Sequence, residues 1–145
     1  VAIGCGVIMY CKNDLLTEAD EQTLVQALSP AGIVDPLEER LMDAGSALCG
    51  CSPAFTDLYM EALADGAVAC GIPRAKAYEY AAMTMAGSAQ MYLQTKQHPG
   101  ALKDAVCSPG GSTIAGVKAL EDHAFRSAVM NCILAASKRN SELGK

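Results

Sequence analysis

The sequence predicts an all-α domain that follows a short α/β segment, and three observations lead to this prediction. Ala, Leu, Val and Met supply most of the apolar residues, and only two Phe and five Tyr are aromatic. Such side chains suit helix-on-helix packing better than a β-sandwich, whose strands favour β-branched and aromatic residues. Helix start and stop signals recur along most of the chain, and a glycine-interrupted Val/Ile run stands at its beginning.

The first 37 residues predict a strand, a helix and a second extended piece. Residues 1–11 form the apolar Val/Ile run, which is typical of a buried strand. The segment Thr17–Asp20 is close to a capping box, and it predicts a helix that Ser29-Pro30 ends. A short extended piece is then expected at Ile33-Val34.

Five or six helices are expected in the remainder of the chain. Asp35-Pro36 and Ser52-Pro53 each predict an N-cap followed by proline at the first helical position. Gly71-Ile72-Pro73 and His98-Pro99-Gly100 interrupt the pattern and mark helix ends. We expect these helices to end near residues 48, 70, 95, 106, 122 and 143.

The helix predicted from Ser52 to about Cys70 has a narrow polar stripe. Asp57, Glu61 and Asp65 recur every four residues, and almost every other position is apolar. Such a helix must be buried on most sides, and in a small domain this requires a second subunit. We interpret the methionines of the following helix as core packing rather than as a binding groove.

Composition and charge exclude several classes of partner and site. A net charge of −5 with scattered basic residues argues against nucleic acid. No apolar run approaches the roughly 20 residues that span a membrane. Seven cysteines without Cys-x-x-Cys or Cys/His spacing favour reduced thiols in the cytoplasm over a metal site. Because the chain begins without Met or a basic leader, we expect no signal peptide and interpret it as part of something longer.

A dinucleotide-binding turn is not predicted at the glycine-rich start of the chain. Gly4-Cys5-Gly6 lacks the third glycine of such a turn, since Met9 stands at that position, and no helix follows directly. We therefore interpret these residues as part of the strand.

The loop that precedes the helix ending near residue 122 is a candidate anion-binding site. Gly110 and Gly111 permit positive φ and expose backbone N–H groups, while Ser112 and Thr113 add hydroxyl donors. Together with a helix N-terminus these groups can hold a carboxylate. A simple turn with a Ser/Thr helix cap explains the same residues.

Several separated motifs resemble pyrroline-5-carboxylate reductase, in that family's order and spacing. They are Glu61–Gly66, Gly71–Arg74, His98–Asp104, Ser108–Ile114 and Phe125-Arg126. The resemblance covers essentially the entire chain. It implies a helical domain at 38–145 whose long antiparallel helices intertwine in a homodimer, with dimers that gather into decamers. It also implies that residues 1–37 are the last part of a Rossmann-like nucleotide-binding domain.

The same resemblance implies an activity and a set of site residues. Family members reduce the cyclic imine 1-pyrroline-5-carboxylate to L-proline with NADPH or NADH, which the nucleotide-binding domain missing from this chain mainly binds. Gly110, Gly111, Ser112 and Thr113 match the loop that holds the substrate carboxylate, and the Thr113 hydroxyl matches a group near the ring nitrogen. Glu39 matches an acidic residue near substrate and cofactor. The chain alone is then expected to be inactive.

Departures from the family pattern leave alternatives open. The residues 49–53 read Cys-Gly-Cys-Ser-Pro where the family usually has Ser-Gly-Ser-Gly-Pro, Ala105 replaces an Asn that reaches the cofactor in some members, and His123 stands in place of a glycine-rich turn. The alternative is therefore a non-catalytic dimerisation module of the same family. A helical domain from the wider β-hydroxyacid dehydrogenase group ranks last, because its catalytic Lys has no persuasive counterpart here.

Overall fold

The computed structural model describes residues 1–143, which form two compact units. The first unit combines residues 1–53 with those from 131 onward, and the second comprises residues 54–130. No helix within residues 1–143 combines the length and the apolar character needed to cross a membrane.

The first unit begins with two parallel strands joined by a helix, as predicted. Strand β1 (Gly6–Tyr10) pairs with strand β2 (Gly32–Pro36), and helix α1 (Glu18–Leu28) connects them. The predicted capping box is confirmed: the Thr17 hydroxyl accepts from the Asp20 N–H at 3.2 Å, and the Asp20 carboxylate accepts from the Thr17 N–H at 3.0 Å. This exchange satisfies two donors at the start of α1 that the helix itself leaves unpaired.

Gly6 and Gly32 are paired in the sheet register, and neither has space for a side chain. A Cβ atom on Gly32 would overlap the backbone of Gly6, and one on Gly6 would lie 2.9 Å from the Ala31 carbonyl oxygen. Both positions therefore require glycine for strand packing. The glycine-rich start serves the sheet, as the missing third glycine indicated.

The helix expected to begin at Asp35-Pro36 begins later. Pro36 is the last residue of β2, a position that tolerates its missing N–H, so the N-cap prediction at Asp35 was wrong. A 3₁₀ turn, helix α2, a π turn and helix α3 then follow one another without a break, over Glu39–Leu41, Met42–Ser46, Ala47–Cys51 and Ser52–Ala69. Ser52-Pro53 accordingly does not open a separate helix.

The other helices follow the predicted order closely. They are α4 (Arg74–Thr95), α5 (Pro99–Ala105), α6 (Ser112–Asp122) and α7 (Phe125–Leu143). The predicted stop after α3 is a Schellman motif, in which Gly71 has φ +97°. Its N–H donates to the Val68 carbonyl at 2.9 Å, and the Ile72 N–H donates to the Ala67 carbonyl at 3.0 Å.

The C-terminal part of α7 belongs to the first unit. The Asn140 side-chain amide donates to the backbone carbonyl of Asp43 at 3.1 Å, a hydrogen bond between residues 97 positions apart. The Asp43 carbonyl also accepts from the Ala47 N–H, so Asn140 adds a second donor from a distant part of the chain.

Few apolar side chains are buried within this chain. Among the described residues, the buried apolar ones are alanines 47, 64, 77 and 81, whereas Leu58 is 67% and Met83 73% exposed. The accessible surface is 10615 Å², while a compact monomer of 15.0 kDa exposes about 7,000 Å². The interpretation of the methionines as core packing is thus wrong for Met83 and Met91 in a single chain. The apolar face predicted for α3 is likewise exposed in a single chain.

Candidate functional site

The loop between α5 and α6 contains a tight turn at Ser108–Gly111. The Gly111 N–H donates to the Ser108 carbonyl at 3.0 Å, with Pro109 at the second position and Gly110 at the third. Gly110 has φ +69°, as the third position of a type II turn requires. The positive φ predicted for both glycines is therefore confirmed at Gly110. It is wrong for Gly111, whose φ is −78°.

At Gly111 a side chain would be opposed by close contacts with Ser108 rather than by the backbone conformation. A Cβ atom there would collide with the Ser108 side-chain hydroxyl and would lie 3.2 Å from the Ser108 carbonyl oxygen. Gly110, by contrast, has nothing within 4 Å of such an atom, so only its φ opposes a side chain. The two glycines support the same turn for different physical reasons.

Helix α6 begins directly after this turn and has an uncapped N-terminus. Gly111 is the N-cap residue, and no side chain accepts a hydrogen bond there. The first N–H groups of α6 consequently lack a partner within the helix, and they lie at the positive end of its dipole. Ser112 and Thr113 are the first two helical residues and are exposed. The Ser/Thr-cap interpretation is wrong, and the arrangement can bind a small carboxylate.

A groove of about 550 Å³ lies between α5, α6 and the start of α7. Its apolar lining includes Val117 and Leu120, which follow Thr113 by four and seven positions and so share its face of α6. Its charged lining includes Lys103 and Arg126. One face of α6 thus carries both the exposed Thr113 hydroxyl and part of the groove.

The two cations of the groove are each engaged by a carboxylate. Lys103 Nζ lies 2.5 Å from Asp104 Oδ1, and Arg126 Nε lies 2.5 Å from Glu121 Oε1. These hydrogen bonds raise the pKa of Lys103 and the pKa of Arg126 above their ordinary values. Both groups therefore remain positively charged over the physiological pH range.

Glu39 lies in the first unit, whereas the loop at 110–113 lies in the second. It opens the 3₁₀ turn three residues after the end of β2, and its side chain is exposed. In open α/β sheets, ligands bind at the carboxyl ends of parallel strands, and Glu39 follows such an end. The four predicted loop residues, 110–113, are therefore adjacent in the second unit. Glu39 belongs to the first unit, at the end of β2.

Sequence reasoning missed a polar network beside the carboxyl end of β1. The Tyr10 hydroxyl donates to Glu21 Oε1 at 2.6 Å, and Lys12 Nζ donates to Glu21 Oε2 at 2.8 Å. The hydrogen bond to Glu21 raises the pKa of Tyr10 to about 12. The pKa of Glu21 is lowered. The hydrogen bond from Lys12 has the largest effect, and the hydrogen bond from Tyr10 has the next largest. The only signal in the sequence was the strand–helix order, which does not fix these partners.

The sequence matches the family model described as pyrroline-5-carboxylate reductase dimerisation over residues 39–143. It is 43% identical over 144 residues to pyrroline-5-carboxylate reductase of Synechocystis sp., covering 99% of this chain and 54% of the relative. It is 45% identical over 144 residues to that of Arabidopsis thaliana, covering 99% of this chain and 52% of the relative. The chain spans about half the length of the curated relatives it matches.

Solved structures of the same kind share the fold. Plasmodium falciparum pyrroline carboxylate reductase with NADP bound superposes with a TM-score of 0.89 at 32% identity, covering 99% of this chain and 58% of that one. Pyrroline-5-carboxylate reductase from Coxiella burnetii gives a TM-score of 0.91 at 29% identity, covering 96% and 52%. The predicted fold, a helical dimerisation domain after a short α/β segment, is confirmed.

The described residues do not by themselves fit a nicotinamide dinucleotide. A pyrophosphate needs a glycine-rich turn between a strand and the N-terminus of a helix. Here Gly6 opens strand β1 and is packed against Gly32, so its backbone is not available for a phosphate. Any such cofactor must be held mainly by residues other than these.

Proposed function

Since this chain belongs to the pyrroline-5-carboxylate reductase dimerisation family, we propose that it forms the dimerisation and substrate-loop part of an enzyme that reduces 1-pyrroline-5-carboxylate to L-proline. The hydride comes from NADPH or NADH, held mainly by a nucleotide-binding part outside these residues. The observation that carries this proposal is the uncapped N-terminus of α6 behind the turn at Gly110 and Gly111.

In this proposal, the loop holds the carboxylate of the substrate. The N–H groups at the start of α6 and the Ser112 hydroxyl donate to the carboxylate oxygens, and the helix dipole favours the negative charge. Fixing this one group orients the attached five-membered ring for reaction. Gly110 and Gly111 keep side chains away from the bound anion.

Thr113 is proposed to act at the ring nitrogen. Reduction of the imine adds a hydride to carbon and a proton to nitrogen, so a hydroxyl close to that nitrogen assists its protonation. Thr113 is exposed, and it is the second residue of α6, one position from the carboxylate-binding hydroxyl. A substrate held by its carboxylate therefore has this hydroxyl close by.

Glu39 is proposed to lie near substrate and cofactor. This proposal is supported by the position of Glu39 just after the carboxyl end of β2. The division into a nucleotide-binding end at 1–37 and a helical domain at 38–145 is also proposed. Its support is the start of the family match at residue 39. The compact units divide the chain differently, because the end of α7 joins the first unit.

The chain is further proposed to act as a homodimer, with dimers that assemble into decamers. The support is the apolar surface of α3 and α4, which is exposed in one chain and has the character of an interface. We also propose a cytoplasmic location, since no disulfide joins the cysteines of residues 1–143, as is usual in a reducing compartment.

Titration of L-proline into the 145-residue protein tests the loop. The backbone amide signals of Gly110, Gly111, Ser112 and Thr113 should shift and saturate, since the product carries the same carboxylate as the substrate. L-prolinamide, which lacks that charge, is the matched control and should leave them in place. Unmoved signals with L-proline would remove the carboxylate site and leave the non-catalytic dimerisation module.

Two variants test Thr113 in an enzyme that also contains the nucleotide-binding part. Thr113→Ala should lower kcat by about a hundredfold, while Thr113→Ser keeps the hydroxyl and most of the activity. Unchanged kinetics in the alanine variant would take Thr113 out of the site. The 145 residues alone should give no turnover with NADPH and 1-pyrroline-5-carboxylate, and measurable turnover would contradict the need for a second part.

A further inference from the structure

Helix α5 is capped at its N-terminus by a histidine side chain. The Gly100 N–H donates to Nδ1 of His98 at 3.0 Å, and Pro99 occupies the first helical position. A ring nitrogen that accepts a hydrogen bond carries no proton, so the imidazole is neutral and its proton is on Nε2. Protonation converts Nδ1 into a donor, which faces the Gly100 N–H and cannot bond to it.

The chain's other histidine makes the opposite kind of contact. His123 Nδ1 lies 2.8 Å from the Ala119 carbonyl oxygen. A carbonyl only accepts, so this Nδ1 is the donor, and the protonated ring keeps the bond. Acid therefore breaks the side-chain bond of His98 and preserves that of His123.

Charged side chains of three helices lie in the groove that His98 lines. His98 lines the groove together with Lys103 of α5, Glu121 of α6 and Arg126 of α7. Lys103 is paired with Asp104, and the Glu121 carboxylate is already engaged by Arg126. Lys96, two positions before His98, lies over the Tyr92 ring at 5.7 Å.

Helix α5 holds the first residue of the loop that follows it. The Val106 N–H donates to the Lys103 carbonyl at 3.2 Å, and the Cys107 N–H donates to the Asp104 carbonyl at 3.0 Å. The type II turn begins at the next residue, Ser108. A change in the order of this seven-residue helix therefore acts directly on the start of the turn.

We propose that His98 is a positioning residue that makes the order of α5, and of the loop after it, depend on pH. The neutral imidazole caps α5, and the protonated imidazole releases its first turn. The cap is intact while the His98 ring is neutral and is lost when the ring is protonated. The cap is independent of the proposed function, while its effect on a bound carboxylate rests on that function.

Nuclear magnetic resonance of the 145-residue protein tests the cap between about pH 8 and about pH 5. The Gly100 amide shift should follow the titration of the His98 ring, and its hydrogen-exchange protection, corrected for the intrinsic rate, should fall about fivefold. His98→Asn supplies an acceptor that does not titrate, so its Gly100 signal should not depend on pH. His123→Asn is the matched control and should behave as the wild type.

The proposal is overturned if the wild-type Gly100 amide ignores the titration of His98, or if His98→Asn shows the same pH dependence as the wild type. L-Proline binding, followed at Gly110 and Gly111, tests the connection to the loop. It should weaken in acid for the wild type and not for His98→Asn, and equal weakening in both overturns the connection. If Gly100 follows His98 but L-proline never binds, the cap stands and the proposed function fails.

Discussion

In the segment from β1 to β2, strand pairing and side-chain hydrogen bonds connect the elements, although Leu15 and Ile33 are exposed. Helices α3 and α4 leave more of their large apolar side chains exposed. The first region has a reciprocal cap at Thr17 and a network centred on Glu21. The second buries little more than the alanines at 64, 77 and 81. Bonds between its own elements thus hold the first region, whereas we expect the second to depend on association with another molecule and hence on protein concentration.

The largest effect is expected from Leu58→Asp, which places a charge on the apolar face of α3. Leu58 is 67% exposed in the single chain, so the variant should fold but fail to associate. We expect the dimer dissociation constant to rise by about a hundredfold or more, as for a residue central to an interface. Sedimentation equilibrium over a range of protein concentrations measures it.

Leu15→Asp is the matched control for this substitution. Leu15 is 87% exposed and lies before α1, in the region that we expect to be held by local contacts. It should leave the association unchanged. If both variants dissociate the protein alike, or neither does, the contrast between the two regions does not hold.

A smaller effect is expected from Thr17→Ala, which removes the cap of α1. Loss of a Ser or Thr cap costs about 1 kcal/mol of unfolding free energy, measurable by urea denaturation. Thr23→Ala, in the middle of the same helix, is the control. The Thr23 hydroxyl donates only to the Ala19 carbonyl, and alanine is the better helix former, so no loss is expected there. If both variants lose the same unfolding free energy, the cap at Thr17 does not stabilise α1 more than an ordinary helix position does.

The smallest effect is expected from the pH dependence of the network at Glu21. The lowered pKa of Glu21 means that its contribution to stability is present above the ordinary glutamate pKa and is lost as the pH falls through the folded value. Glu21→Gln should remove this acid-side loss from a series of denaturation curves. Retention of the full pH dependence in that variant would assign it to other carboxylates.

The same network predicts an alkaline titration. Because the pKa of Tyr10 is raised to about 12, its hydrogen bond persists through the ordinary tyrosine range and is lost as the pH rises through that value. The tyrosinate absorbance of the wild type minus that of Tyr10→Phe should show a single titration there. A difference curve centred near the ordinary value of about 10 would show that the bond to Glu21 is absent.

Most of the fold could be predicted because the chain marks its helix ends with residues that act locally. The capping box at Thr17 and the helix end at Gly71 depend on neighbours a few positions away, and both predictions are confirmed. Asp35-Pro36 failed because proline suits the end of a strand as well as the start of a helix, and strand pairing decided between them. The exposure of Met83 could not be predicted, since it depends on what a second molecule covers.

The candidate site divides in the same way. The turn at Gly110 was predictable because its positive φ is a local requirement of the type II geometry. The reason for glycine at position 111 was not predictable, because it is the close approach of Ser108, which only the three-dimensional structure shows. The hydrogen bond of His98 was missed too, since the sequence shows a histidine before Pro99 but not which ring nitrogen faces the helix.

The hydrogen bond from Asn140 to Asp43 has a consequence for how the protein matures on the ribosome. The first unit needs residues from two separate stretches of the chain, and residues 54–130 are synthesised between them. At translation rates of about 5–20 residues per second, that interval lasts roughly 4–15 s. During it the earlier stretch waits without the end of α7, so chaperones that bind emerging chains meet an unfinished unit.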